Sequence, residues 1–264
     1  MAIIEQSNWR VSYLHSDSTP LRLGACEYAG VKVIHTASVP FVFVNYQGDS
    51  SGPFTDQLQS SDVQVRNVMF GFDLKATYDF GEDYQYNHIW RFHEDGQFGS
   101  TIVVQGPGEE IRGRHLYHLP FRYDLDISGS GGDSLQKRGS SGGFANVAKE
   151  GQLSPTHAPD FDWRLIDRAT NRQAKLRARP GDGAELWALR YKQSESWASF
   201  GSSGEGIPGQ PGSVPAIYAD GQGVQNTNVV LWYIAHLPSQ ALPSACGPWF
   251  ALAGYPAVPP PMPM

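Results

Sequence analysis

The run Tyr84-Gln85-Tyr86-Asn87-His88-Ile89-Trp90-Arg91-Phe92 constrains the fold more than any other part of the chain. Its large rings fall at alternate positions, Tyr84, Tyr86, Trp90 and Phe92, which share one face only if the segment is a β-strand. His93-Glu94-Asp95-Gly96 follows as an Asp-Gly hairpin signal, with Phe98 to Gln105 as the return strand, ended by Gly106-Pro107-Gly108. His88 and His93, on either side of Trp90, read as surface or turn residues.

Similar short alternating runs occur from Trp9 to Leu14, Val31 to Ile34, Phe41 to Tyr46, Val63 to Phe70, Leu74 to Phe80 and Val229 to His236. His115 to Ile127 is a longer extended segment, and Asp162 to Asp167, Gln173 to Arg179 and Leu186 to Tyr191 are shorter ones. Turn clusters such as Gly48-Asp49-Ser50-Ser51-Gly52-Pro53 separate them. With 29 Gly and 19 Pro, the composition favours turns and strands over long helices. The expected fold is all-β, an antiparallel β-sandwich with few short helices. No internal repeat or sharp compositional break appears, so residues 1–255 are expected to form a single sandwich domain, large enough to bury a substantial core. Gly/Ser-rich loops are expected at about 128–143 and 201–213, and a flexible proline-rich tail at 256–264.

A net charge of −6 argues against a nucleic-acid partner, which calls for a concentrated basic face. The one dense basic run, Arg164 to Arg179, alternates with apolar residues in the manner of a solvated strand face. No apolar run approaches the length that crosses a membrane. The start, Met1-Ala2-Ile3-Ile4-Glu5-Gln6, lacks the basic and apolar regions of a secretory signal, so a cytoplasmic location without a membrane partner is expected. Cys26 and Cys246 are too few for a disulfide framework and read as buried or free thiols. The expected partner is a small-molecule substrate, bound by a monomer or homodimer.

Several chemistry-bearing residues occur in a definite order. Asp83-Tyr84-Gln85-Tyr86 is followed by Trp90, and His115-Leu116-Tyr117-His118 leads into Arg122, Asp124, Asp126 and Gly129. Trp163 to Asp167 and Asn171 come next, and then Trp232-Tyr233 ahead of His236 and Pro238. From Trp9 to about Pro256 this ordered set resembles the catalytic β-sandwich domain of the copper amine oxidases, shortened and without that family's accessory N-terminal domains. The resemblance implies that Tyr84 stands where the family's tyrosine becomes topaquinone, and that His115, His118 and His236 stand at the copper ligands. Tyr46 falls at the position of the catalytic base, with Asp49 nearby but shifted. Tyr86, Trp90, Tyr117 and Trp232 are then expected to line the substrate pocket.

Three departures shape the expected function. The family's base is a carboxylate that takes a proton from carbon, whereas tyrosine is a poor base near neutrality. His115 and His118 are spaced i, i+3, so a bulge is needed to bring both to one side; without it His115 shares its face with Tyr117. Asp83 and Gln85 replace the residues that flank the family's precursor tyrosine, which disfavours topaquinone formation at Tyr84. The expected protein is therefore a small-molecule-transforming enzyme other than a standard amine oxidase. Copper-dependent oxidation is one form of that expectation. A metal-free cyclase or isomerase is another, for instance a pericyclase such as a Diels–Alderase of natural-product biosynthesis, using the aromatic pocket to hold one substrate conformation. A non-catalytic binding domain is the third. Arg122 with Asp124 and Asp126 reads as a structural ion-pair network.

Overall fold

The computed structural model describes the whole chain except residues 17–18, 47–53, 60–61, 81–83, 107–114, 128, 130–131, 154–161, 196–212, 240–241 and 257–264. The strands among the described residues are, in order, β1 (Ala2–Gln6), β2 (Trp9–Ser16), β3 (Thr19–Tyr28), β4 (Val31–Ser38), β5 (Val42–Tyr46), β6 (Phe54–Asp56) and β7 (Val63–Val68). They continue with β8 (Gly71–Asp79), β9 (Gln85–His93), β10 (Gln97–Gln105), β11 (His115–Leu125), β12 (Asp133–Arg138), β13 (Phe144–Asn146) and β14 (Gly151–Leu153). The last are β15 (Trp163–Asp167), β16 (Arg172–Arg177), β17 (Glu185–Arg190), β18 (Val229–Pro238), β19 (Ser244–Cys246) and β20 (Trp249–Ala253). A 3-10 turn at Gln193–Glu195 and the short helix α1 (Ser213–Tyr218) lie between β17 and β18.

Among the described residues two antiparallel sheets of ten strands each share one core, as the alternating pattern predicts. The first runs β1-β2-β3-β4-β11-β18-β17-β14, with β5 and β6 attached beside β11. The second runs β13-β12-β15-β16-β20-β10-β9-β8-β7, with β19 beside β10. The β9–β10 hairpin forms where the sequence signals it. Gly96 adopts φ +85°, a conformation that favours glycine, and the Asp95 carboxylate accepts the Gln97 backbone N–H at 2.9 Å.

Between the sheets, Tyr86, Trp90 and Phe92 of β9 face Tyr117, Leu119, Phe121 and Tyr123 of β11, all of them buried. The Trp90 and Tyr123 rings meet edge to face at 5.7 Å, and each such side chain contributes roughly 1.5–3 kcal/mol through burial. His88 shares this inward face by parity and is fully buried, with Nε2 2.8 Å from Ser100 Oγ, so its expected place at the surface is corrected. The first sheet is also covered on its outer side. There Phe41, Phe43, Leu189, Val230 and Trp232 form a second cluster, joined by Trp187, Tyr218 and Ala219. That double burial makes β11 and β18 close to continuously buried along their length.

The expected loop at 128–143 contains a strand. β12 pairs with β15 from Asp133↔Asp167 to Lys137↔Trp163, and its Leu135 enters the core. The flanking Gly and Ser hide a segment whose central side chain is apolar and inward. The expected loop at 201–213 and tail at 256–264 lie outside the described residues, apart from Ser213 in α1 and Pro256. Cys26 and Cys246 are both buried free thiols, as read from the sequence. No helix among the described residues is long and apolar enough to cross a membrane.

Candidate functional site

At one end of the sandwich a carboxylate sits inside a ring of aromatic side chains. β5 and β6 pair as Val42↔Asp56 and Val44↔Phe54, which turns Asp56 toward the interior beside Val42 and Val44 of the core. From the other sheet, Tyr84 and Tyr86 approach on the inward face of β9 and its leading residue. Asp56 is only 8% exposed, and its two oxygens accept the Tyr84 hydroxyl at 3.1 Å and the Tyr86 hydroxyl at 2.5 Å. β11 contributes Tyr117, whose ring lies 6.0 Å from Tyr84 and 6.1 Å from Tyr86. Its first residue, His115, packs 5.4 Å from Tyr117 and 4.8 Å from Tyr46, its direct partner across the β11–β5 ladder. Phe80 stacks on Tyr84 at 5.3 Å and Phe54 meets Tyr46 edge to face at 5.4 Å.

Burial sets the electrostatics of this cluster. It pushes the Asp56 carboxyl above the ordinary carboxylate range, partly opposed by the hydrogen bonds from Tyr86 and Tyr84. It also pushes both phenols up, and the Asp56 charge adds to the effect. The two hydroxyls therefore remain protonated donors. Tyr84 and Tyr46 are half-buried and Tyr86 is fully buried, so the outer members of the ring stand between solvent and the carboxylate.

The residues read as copper ligands do not meet. His115, Tyr117 and Leu119 face the core, whereas His118 faces the outer side of the first sheet. The β11 ladders run without a register shift from His115↔Tyr46 to His118↔Phe43 and from Leu116↔Pro238 to Asp124↔Val230, so the bulge that would reunite His115 and His118 is absent. His118 instead lies directly opposite His236, with their Nδ1 atoms 2.7 Å apart. The Asn45 side-chain Nδ2 donates to His118 Nε2 at 3.1 Å, which leaves the His118 proton on Nδ1, given to His236 Nδ1. The His236 proton is then on Nε2, 3.9 Å from a Glu185 oxygen. Burial, then the His236 charge, pushes His118 down to about 3, and burial also lowers His236. Among the described residues no group of three or more His, Cys, Asp or Glu side chains is arranged to hold a metal ion. The copper set of His115, His118 and His236 does not fit.

Of the expected pocket residues, Tyr46, Tyr84, Tyr86 and Tyr117 come together. Trp90 shares their inward face but sits deeper, with His88 and Tyr123 as ring neighbours. Trp232 is corrected: it is on the outer face, where its indole N–H donates to Glu195 at 2.5 Å. The same Glu195 oxygen accepts Arg122 Nε at 3.2 Å, while Asp126 pairs with Lys32 at 2.6 Å. The ion-pair network read around Arg122 is thus buried and structural, with Glu195 as the partner. Asp49 and Asp83 lie outside the described residues. Asp56 was not among the expected site residues. Its only local signal is a carboxylate in phase with Phe54, and its burial depends on pairing with Val42.

No protein family matches the chain by sequence, and no curated protein is similar to it in sequence. Solved structures do resemble it. A copper-containing benzylamine oxidase from Hansenula polymorpha superposes with a TM-score of 0.69 at 13% identity, covering 96% of this chain and 59% of the other. Pichia pastoris lysyl oxidase gives 0.68 at 12%, covering 96% and 52%, and Aspergillus nidulans amine oxidase 0.67 at 11%, covering 96% and 51%. A GalM/aldose epimerase homologue from C. elegans gives 0.51 at 9%, covering 95% and 97%. The chain spans a little over half the length of the oxidases it matches. At such identities the likeness is one of architecture, and it bears out the expected fold: this chain has an antiparallel β-sandwich fold similar to that of the copper amine oxidases.

Proposed function

We propose that the chain is a small-molecule-transforming enzyme that works by general acid–base chemistry at Asp56, and that its reaction is a metal-free isomerisation or cyclisation. One observation carries this reading: a desolvated carboxyl, held by two neutral phenols, at the aromatic end of the sandwich. A carboxyl that burial raises from its ordinary value holds a proton more readily than an exposed one, which suits a general acid or base. Tyr84 and Tyr86 keep their protons, so they can redirect hydrogen bonds to a substrate oxygen on which charge develops. Tyr46, Tyr117, Phe54 and His115 supply walls that fix the orientation of an apolar substrate, worth about 7–11 kcal/mol in the best-oriented cases.

Copper chemistry has less support. The strand parity that separates His115 from His118 leaves no convergent imidazole set beside Tyr84 among the described residues. The fold likeness alone does not choose, because one architecture hosts unrelated chemistries. The oxidases and the aldose epimerase homologue illustrate that range at similar sandwich geometry.

The test is a panel of small enolisable carbonyl compounds and cyclisable polyenes. Wild type, Asp56→Asn and Tyr84→Phe are each assayed with and without a chelator. Turnover is expected to survive the chelator and to fall by about 10²–10⁴ in Asp56→Asn. Turnover that is abolished by chelation and restored by copper would overturn the reading, as would a folded Asp56→Asn variant with full activity. Binding without turnover across the panel would instead favour a non-catalytic binding domain.

A further inference from the structure

The basic run from Arg164 to Arg179 is only partly a solvated strand face. Where β16 ends beside β20, a half-open cleft of about 200 Å³ is lined by Arg177, Ala178, Arg179, Pro180, Gly247 and Trp249. It shares no residue with the aromatic cluster described around Asp56. Ala178 is buried in the core at 5% exposure, while Arg177, the last residue of β16, and Arg179 just beyond it both line the cleft. Arg177 stands directly opposite Trp249 in the β16–β20 ladder.

The cleft is built from restrained parts. The backbone N–H of Arg179 donates to the Tyr233 hydroxyl at 3.0 Å, and its Nη2 donates to Thr101 Oγ1 at 2.9 Å. Its Nε is buried without a hydrogen-bond partner among the described residues. Trp249 donates its indole N–H to Gln97 at 2.8 Å and meets the His93 ring at 5.5 Å. Its ring lies against Gly99, where an added Cβ would stand 2.3 Å from it, so this approach requires glycine. Gly247, at φ +120°, supplies room: an added Cβ there would stand 2.2 Å from the Ser100 carbonyl oxygen. Its own N–H is committed to Asp182 at 3.3 Å. Asp182 is the carboxylate behind the cleft, engaged by the Tyr233 hydroxyl at 2.7 Å. Among the described residues no acidic side chain lines the cleft, although the chain carries a net charge of −6.

We propose that this cleft binds a small organic oxyanion, with the guanidinium groups of Arg177 and Arg179 on a carboxylate or phosphate group and the organic portion against the Trp249 ring. A guanidinium presents planar paired donors that match either oxyanion. The wall at Trp249 favours a ligand with a flat or apolar portion next to the charge.

Calorimetric titrations at fixed ionic strength would use inorganic phosphate, acetate and benzoate as probes. Wild type is expected to bind phosphate or benzoate at one site. Arg179→Gln should weaken binding by about tenfold or more, while Lys75→Gln on a distant strand of the same sheet should leave it unchanged. Benzoate preferred over both acetate and phosphate, with the preference lost in Trp249→Leu, identifies an aromatic carboxylate. Phosphate preferred over both carboxylates identifies a phosphorylated ligand. If Arg179→Gln loses its near-ultraviolet circular dichroism signature, Arg177→Gln takes its place, because that side chain is exposed. No saturation of wild type by about 10 mM of any probe, or equal affinity of a folded arginine variant, overturns the proposal.

Discussion

Neutralising Asp133 should stabilise this protein in a pH-dependent way. Asp133 opens β12, is 2% exposed, and accepts the Ile127 backbone N–H at 3.3 Å through one oxygen. Its other oxygen has no hydrogen-bond partner among the described residues. Burial pushes its carboxyl up to about 7 from an ordinary 3.8; the Ile127 hydrogen bond opposes this, and the charges of Asp126 and Asp167 reinforce it. Between those two values the folded chain holds a proton that the unfolded chain has released. The associated stability is fully present below about pH 4 and is lost as pH rises to about 7. At 1.36 kcal/mol per unit, a shift of about three units sets a ceiling of about 4 kcal/mol. Asp133→Asn keeps an acceptor for Ile127 and removes the titration, so its gain over wild type should be near zero at pH 4 and approach that ceiling above pH 7. His118 works in the opposite sense. Pushed down to about 3 from 6.5, it keeps the folded chain short of a proton, so stability is lost as pH falls through that range. In the overlap the two slopes oppose each other, and His88, which burial likewise pushes down to about 3, adds to the loss on acidification; Asp133→Asn should therefore make that loss steeper than in wild type. Urea unfolding free energies across about pH 4 to 8 measure both curves. Parallel curves for wild type and Asp133→Asn would refute the reasoning.

Added copper(II) should form no three-imidazole complex with His115, His118 and His236, because strand parity separates the first from the other two. An electron paramagnetic resonance signal with three nitrogen ligands, lost in both His115→Ala and His118→Ala, would contradict the face assignment. Tyr86→Phe should cost about 1–3 kcal/mol, because it leaves a buried Asp56 oxygen unpaired. Tyr84→Phe should cost less, since that hydroxyl is half-buried and water can replace it; denaturant midpoints in the reverse order would exclude this account. Trp232→Phe removes the indole donor from Glu195 and should lower stability by about 1–3 kcal/mol while leaving any Asp56-dependent turnover intact. A selective loss of turnover would return Trp232 to the pocket.

Much of the fold was legible because alternation is local. The β9–β10 hairpin follows from Tyr84 to Phe92 and the Asp95-Gly96 turn without any long-range information. β12 was hidden because the surrounding Gly and Ser dominate a window in which only Leu135 carries the core-facing signal. The inner cluster was readable in part for the same reason: parity on β11 already pairs His115 with Tyr117. Asp56 was not readable, since its depth comes from a ladder with β5 rather than from its neighbours. Trp232 was misplaced because β18 is buried on both faces. Its sequence alone does not say which aromatic points inward, and one register, His118↔His236, decides it.

That register also explains why the histidines fail as a set. Inward positions of β11 near Tyr84 are His115 and Tyr117, and the inward β18 residue opposite Tyr117 is Leu237. A three-imidazole site beside Tyr84 would draw on those three places, and this chain fills two of them with a phenol and an isobutyl group. In this register His118 and His236 are not members of an inner site, because side chains on alternate faces of a strand do not meet without a one-residue slip. They lie on the opposite face of the sheet with their own partners, Asn45 and Glu185. Around Asp56 the described residues place one imidazole, His115, among phenols, and two phenolic hydroxyls donate to the carboxylate. The sheet that separates the two sets is the same one whose double burial made the faces hard to tell apart.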